Sequence, residues 1–282
     1  MTTQSPAAQG GAALAPVTGR RSPRRRAQIS RGIQYTVLLA LVVVLALATD
    51  WARVGTTFLD PAVARDLVPT LGGALVNTLR YTVAAFAVGL SLGTLLALMK
   101  LSSVRPYRWI ATVYIEFFRG IPALLVVVAF GYAVPVALGV NIGSLTAKAA
   151  LALGMVAAAY IAETLRAGIE AVPRGQVEAA RSLGMSHTRT LVTVVIPQAF
   201  RIVLPPMTNE LILLTKDTSL IYLLGLTPAQ FDLTKVGRDA LSTAQGGLTA
   251  LFVVGAVYLI ITIPLGLLAR RLEGRTARRT RS

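Results

Sequence analysis

The chain has 282 residues, of which 54% are hydrophobic and only 14% charged, and its net charge is +16. That balance lies far outside the soluble globular range and marks an integral membrane protein. The lack of cysteine excludes disulfides, iron–sulfur clusters and thiol chemistry, and one histidine, His187, gives no basis for a His-built metal site or catalytic triad.

Residues 1–32, rich in Ala, Gly, Pro, Ser, Thr and Arg, are expected to form a disordered basic tail. Residues 33–52 form the first apolar span, with Trp51 as an interfacial anchor at its end. Ala46-Leu47-Ala48 also fits a signal-peptide cleavage pattern, but the stretch before the apolar run is long for a signal's basic region, so the span is read as retained. A membrane domain over 71–272 follows, and residues 273–282 form a second basic tail. Within the domain, uncharged or weakly charged runs at 81–99, 121–147, 144–165, 200–225 and 241–269 reach the roughly 20 residues a crossing needs. The run at 200–225 is the least apolar, since it holds Pro205, Pro206, Asn209, Glu210, Lys216 and Asp217. A helix with that content must face protein or a water-filled cavity, because lipid offers its polar groups no partner.

An even number of spans puts both termini on one side. Arg20, Arg21, Arg24, Arg25, Arg26 and Arg31 lie in the first tail, and Arg270, Arg271, Arg275, Arg278, Arg279 and Arg281 in the last. Lys100, Arg105, Arg108, Arg166, Arg174, Arg181, Arg189 and Arg201 flank loops of the same parity, whereas the opposite loops mix Arg and Lys with five aspartates. This bias places both tails and the 170–197 loop in the cytoplasm. The positive charge is therefore topological, suited to anionic headgroups at about 1 kcal/mol per basic residue rather than to nucleic acid.

The 170–197 loop interrupts the apolar pattern with a soluble helical segment, Glu178-Ala179-Ala180-Arg181-Ser182-Leu183-Gly184, ahead of Ile196-Pro197. Pro173 suits a first helical turn, Gly184 a C-terminal cap and Ser186 the cap of the next helix. Glu178 and Arg181 are spaced to pair at i, i+3. Ala179 and Ala180 leave room for another backbone, Leu183 supplies an apolar anchor, and Glu178 can meet a basic group. A short solvated connector is the plain alternative.

The Glu-Ala-Ala segment, with glycine six residues after the glutamate and an aliphatic-Pro pair further on, resembles the signature loop of ABC importer permeases. Glu116-Phe117-Phe118-Arg119-Gly120-Ile121-Pro122, Tyr160-Ile161-Ala162-Glu163-Thr164-Leu165-Arg166-Ala167-Gly168 and Leu214-Thr215-Lys216-Asp217-Thr218-Ser219-Leu220 resemble segments of the polar-amino-acid branch of type I importers. The resemblance covers about residues 75–273. It implies an all-α membrane protein with a MetI-like bundle of about six transmembrane helices, working beside a second permease copy or paralogue in a bacterial cell membrane. It further implies that Glu178, Ala179, Ala180, Leu183, Gly184 and Pro197 belong to a coupling loop seated on a separate ATPase subunit. An extracytoplasmic substrate-binding protein would deliver a polar amino acid such as glutamate or glutamine. The chain has no Gly-x-x-x-x-Gly-Lys-Ser/Thr phosphate loop, so ATP hydrolysis belongs to the partner and no cofactor or catalytic residue is expected.

For the translocation path, the polar run of the fifth span supplies Asn209, Glu210, Thr215, Lys216, Asp217, Thr218 and Ser219, with Asn209, Glu210 and Thr215 expected nearest the solute. Glu116 with Arg119, and Glu163 with Arg166, are spaced as i, i+3 pairs. They are read as structural or gating pairs near the cytoplasmic helix ends, with a place on a zwitterion path as the alternative. A secondary transporter or channel could share the spans but needs no coupling loop, and a membrane enzyme lacks a recognisable catalytic set.

The topology is testable with single cysteines in this cysteine-free chain. Asp60→Cys and Gly246→Cys should react with a membrane-impermeant maleimide in intact cells, and His187→Cys only after lysis. Labelling of His187→Cys in intact cells would reverse the orientation, and loss of residues 1–48 from the mature protein would show a cleaved signal.

Overall fold

The computed structural model describes residues 23–243 and 247–279. Among the described residues the secondary structure is entirely helical. Among these residues five helices are long and apolar enough to cross a membrane, or six when one bent pair is taken as a single span.

The chain divides into two compact units, residues 1–54 and 55–282. In the first, helix α1 (Pro23–Ala48) is exposed along its described side chains and carries no acidic residue. The indole of Trp51 donates to the Ala46 carbonyl at 2.7 Å, closing the end of α1. The helix begins inside the stretch expected to be disordered: Pro23 stands in its first turn, where a missing N–H costs nothing, and the basic stretch Arg24 to Gly32, with no further proline, leads into the apolar run. Residues 1–22 lie outside the described residues.

The second unit takes up the end of α2 (Trp51–Phe58) and then α3 (Pro61–Leu101). Asp60 caps α3 by accepting from the Ala62 N–H at 2.8 Å, with Pro61 in the first turn, where a missing N–H costs nothing. At 41 residues α3 is roughly 60 Å long, about twice the hydrocarbon core. Its polar first part, with Arg65, Asp66, Asn77 and Arg80, precedes the apolar stretch 81–99.

The span expected over 121–147 is a helical stretch over 123–138, and a sharp break joins it to the helix before it. Helix α4 (Arg105–Gly120) stops at Ile121, and after Pro122 the chain turns by 104° into α5 (Ala123–Val128), a π-turn (Ala129–Ala133) and α6 (Val134–Leu138). The cause is local: proline disfavours the helical conformation of the residue before it, and Ile121 is extended at φ −96°, ψ 138°. Gly139, at φ 62°, ends α6, and Ser144 caps α7 (Leu145–Glu170).

Helix α7 is the centre of the unit, with 67% of its apolar window buried. It approaches α3 so closely that a side chain larger than hydrogen forces a shift at two positions and is tight at a third. A Cβ on Gly93 would lie 2.7 Å from Ile161 Cγ2 and 2.9 Å from the Ala158 carbonyl oxygen, and one on Gly154 would lie 2.8 Å from Val88 Cβ. A Cβ on Gly89 would meet Ala157 Cβ at 3.0 Å. Small residues permit this approach, which is how helices associate where lipid removes the hydrophobic drive.

Short helices α8 (Arg174–Ser182) and α9 (His187–Thr190) and a π-turn (Leu191–Val195) lead into α10 (Ile196–Asp217), continued by a 3₁₀ segment to Leu224. Helix α11 (Leu233–Leu241) precedes α12 (Thr249–Arg279), so the last span starts later than the 241 expected, and Gly246 lies outside the described residues. The 225–233 connection is pinned to α3. The Asn77 amide donates to the Ala229 and Phe231 carbonyls at 3.0 Å each, Tyr81 Oη donates to the Gln230 carbonyl at 2.8 Å, and Thr78 Oγ1 accepts from the Leu233 N–H at 3.2 Å. Asp232 is fully buried as the cap of α11. Burial pushes its carboxyl above the usual range, against the opposing pull of the Lys235 and Thr234 N–H groups.

Gly93→Val should overpack the α3–α7 contact at a cost of about 1–3 kcal/mol or more. It should lower the thermal midpoint of the purified protein. Gly72→Val, where a Cβ would meet nothing within 4 Å, should shift it far less.

Candidate functional site

The soluble loop forms a fixed platform at the end of α7. The α7 helix ends at Glu170, and Ala171, Val172 and Pro173 turn the chain into α8. Leu183 caps α8 and Gly184 follows at φ 80°, a left-handed position that favours glycine. The Gly184 N–H donates to the Arg181 carbonyl at 3.0 Å and the Met185 N–H to the Ala180 carbonyl at 3.2 Å, a Schellman closure. Ser186 then caps α9 by accepting from the Arg189 N–H.

The two alanines of the motif divide between two faces. Ala180 is 5% exposed and shares a face of α8 with Val177, which packs against a cluster of Val172, Val195 and Ala199. Ala179, Glu178 and Leu183 are exposed, Leu183 at 84%. Ala180 therefore serves seating of α8 on its own chain, and only Ala179 offers a small-residue surface outward. Arg181 donates to the Met185 carbonyl at 2.6 Å instead of pairing with Glu178, which has no ion pair among the described residues. His187 is exposed, and Pro197 sits exposed in the first turn of α10.

A charge cluster ties this platform to α3. Lys100 Nζ lies 2.6 Å from Glu163 Oε1, and Arg166 reaches Glu163 Oε2 at 2.8 Å through Nη2 and at 3.1 Å through Nε. Arg166 also pairs with Glu170, at the end of α7. The Glu163 side chain is 20% exposed, so the bonds are partly desolvated and stronger than surface pairs.

A second feature opens at the α4–α5 break: a cleft of about 460 Å³ between the break, α7 and α10. Arg119, Gly120, Ile121 and Pro122 line it from the break, Leu153, Val156, Ala157 and Tyr160 from α7, and Glu210, Leu213, Leu214 and Asp217 from α10. Glu210 and Asp217 share one face because they stand two helical turns apart. Arg119 does not pair with Glu116, which is exposed on α4; its guanidinium lies 5.7 Å from the centre of the Tyr160 ring. Arg119 stays in the last turn of α4, and the break leaves its guanidinium over Tyr160 of α7.

Helix phase separates the remaining polar residues of α10 from the cleft. Thr215 is 1% exposed and its hydroxyl donates to the Leu211 carbonyl at 2.8 Å, while Thr218 is buried and donates to the Thr215 carbonyl at 2.7 Å. Asn209 and Lys216 are exposed on other faces, and Ser219 is half-buried outside the cleft lining. Tyr160 was missed as a site residue, although its place in a helix otherwise lined by alanine was a visible signal.

Residues 89–282 match the family model of the binding-protein-dependent transport system inner membrane component. The chain is 38% identical over 218 residues to the glutamate/aspartate import permease protein GltK of Escherichia coli, covering 74% of this chain and 95% of that one. It is 34% identical over 215 residues to the arginine transport system permease protein ArtQ of Bacillus subtilis, covering 76% and 96%. A chain in the crystal structure of an amino acid ABC transporter with histidines superposes with a TM-score of 0.69 at 34% identity, covering 77% of this chain and 99% of that one. A chain of the inward-facing MetNI methionine ABC transporter shares the fold, with a TM-score of 0.59 at 21% identity and coverage of 77% and 99%.

Glu163→Gln should leave Lys100 and Arg166 short of a carboxylate. A loss of about 1–3 kcal/mol is expected, read as a lower thermal midpoint that Glu116→Gln does not reproduce.

Proposed function

The chain belongs to the family of binding-protein-dependent transport system inner membrane components, and from that premise we propose that it is the permease subunit of an ATP-driven amino acid importer. The observation that carries the reading is α8. A charged helix with its inner face fixed by Val177 and Ala180, and with Glu178, Ala179 and Leu183 bare, suits a docking surface for a separate ATPase subunit. The basic bias supports a cytoplasmic position for α8 and both tails, with Arg-rich segments beside anionic lipid headgroups. An external binding protein delivers the solute, and a second permease copy or a paralogue completes the pore. Relatives bear names for glutamate/aspartate, arginine, glutamine and cystine transport, so glutamate and glutamine are two members of a wider set.

Coupling follows from one helix. The α7 helix carries Tyr160 on the cleft and Glu170 beside α8, roughly 15 Å apart along its axis. Force applied to α8 by closure of the ATPases reaches the cleft through that rigid rod, and through Glu163 and Lys100 it reaches α3 as well. Glu210 and Asp217 on α10 face the moving wall and form the polar part of the path.

Glu178→Lys and Gly184→Val should abolish ATP-dependent amino acid uptake, at least tenfold, with membrane abundance unchanged and with reduced co-purification of the ATPase. Uptake at wild-type rate by both variants would overturn the docking role of α8, and failure of any ATPase to co-purify with the wild type would favour a secondary transporter.

A further inference from the structure

We propose that the exposed faces of α4 and α10 bind a second copy of this chain, with Glu116 of each copy paired to Lys216 of the partner subunit. The inference rests on the reading of the chain as a permease that works in pairs. It commits the pair to two identical subunits and names the contact that aligns them.

Glu116 and Lys216 stand level with each other, deep in the bundle. Two residues before Glu116, the Tyr114 hydroxyl donates to the Met155 carbonyl of α7 at 3.0 Å. On either side of Lys216, Leu213 and Asp217 line the same cleft as Leu153 and Ala157 of α7. Residues 153–157 lie in the middle of that 26-residue helix, roughly 12 Å or more from either end. Both charges are therefore inside the hydrocarbon core.

Neither charge is used within its own copy. Among the described residues Glu116 and Lys216 have no ion pair and no side-chain hydrogen bond, and neither lines the cleft. Glu116 shares the exposed face of α4 with Trp109, Val113 and Gly120, while Ala111, Ile115 and Phe118 pack on the opposite face. Lys216 shares the exposed face of α10 with Asn209, and Asp217, next in sequence, turns to the cleft. A carboxylate, an ammonium and an amide turned to lipid at this depth are costly, so these faces meet protein.

A second copy supplies what both residues lack. Two copies inserted with the same topology are related by a two-fold axis along the membrane normal, and that rotation preserves depth. Each residue therefore meets only groups at its own level. One lone acid and one lone base at one level make a self-complementary set, which the rotation turns into two equivalent ion pairs. The same charges fix the register, because a slip that sets Glu116 or Lys216 against its own counterpart brings like charges together. Gly120, where a Cβ would meet nothing within 4 Å, leaves the backbone of α4 open to close approach on that side.

The test uses two differently tagged copies of the full chain produced together in their native cells, with association read in isolated membranes. The chain has no cysteine of its own. With Glu116→Cys in one copy and Lys216→Cys in the other, mild oxidation should join both tags in one covalent species. Neither substitution should do so when both copies carry it. Glu116→Lys or Lys216→Glu in both copies should lower recovery of one tag with the other by about tenfold or more, and the double exchange should restore it to within about twofold of wild type. Each variant is checked for monodispersity and helix content, since neither side chain packs within its own copy and the fold of the single subunit should persist. Co-purification of the ATPase, which tests the permease reading itself, is scored in the same preparation. Wild-type copies that associate without the 116–216 cross-link and without response to either exchange would overturn this contact and leave the permease reading intact. Loss of association in both single exchanges with no recovery in the double exchange would overturn the ion pair. Tags that never co-purify while the ATPase does would overturn the second copy in favour of a paralogue.

Discussion

The close contact of α3 with α7 sets the position of everything else in the membrane unit. In lipid, apolar side chains gain little by leaving their surroundings, so helices associate by shape and by interhelical polar contacts. Gly89, Gly93 and Gly154 remove the side chains that would hold the two backbones apart, and Ala157, Ala158 and Ile161 fill the space left. With α3 on one face, α7 has others free for α4 and α10, and its small residues allow each to approach: Val156, Ala159 and Ala162 toward α4, Leu153 and Ala157 toward α10 and the cleft. Lys100 and Glu163 then fasten the same pair at one end.

The rule that irregular backbone needs protein partners explains the opposite end. The connection between Gly225 and Leu233 leaves the helical pattern, and α3 meets it with Asn77, Thr78 and Tyr81, which are polar on the side that faces it. Thr234 and Tyr258 share a further hydroxyl contact at 3.1 Å. Polar groups buried for structural reasons in this unit are thus matched, one to another. The cleft departs from that pattern, since Arg119, Glu210 and Asp217 converge there without matching each other. The contrast separates polar groups paired within the bundle from charged groups that line a cleft unpaired.

The membrane character, the helical class and the approximate spans were legible in the sequence because each rests on a long average over apolar residues. The short soluble helix between α7 and α10 was legible for a different reason: Pro173, Gly184 and Ser186 fix its ends by backbone chemistry that acts over a few residues. What the sequence hid was three-dimensional. The expected run began at Ile121, so the 104° turn fell at its edge unread, and with it the approach of Arg119 to Tyr160. In the same way, residue type alone grouped Asn209, Glu210 and Thr215, whereas helix phase groups Glu210 with Asp217 and turns Thr215 inward to the Leu211 carbonyl. Ala180 looked like part of a docking surface until the packing of Val172, Val177 and Val195 gave it an inner side.

Stiffness is also unevenly placed, and its distribution bears on how the cleft can change. On one side stand α3 and α7, joined by contacts with no spare volume and carrying α8 at their end. On the other stand two elements with interrupted backbone ladders. The α4–α5 pair is broken at Pro122 and contains a π-turn over Ala129–Ala133, while α10 follows a π-turn at Leu191–Val195 and includes Pro205 and Pro206. Prolines and π-turns remove or shift i→i−4 hydrogen bonds and are where helices bend. Arg119 sits on one interrupted element and Glu210 and Asp217 on the other, both facing Tyr160 on the stiff one. On the docking role proposed for α8, a displacement carried by α7 would change the distance between the charged walls instead of dissipating within the helix that transmits it.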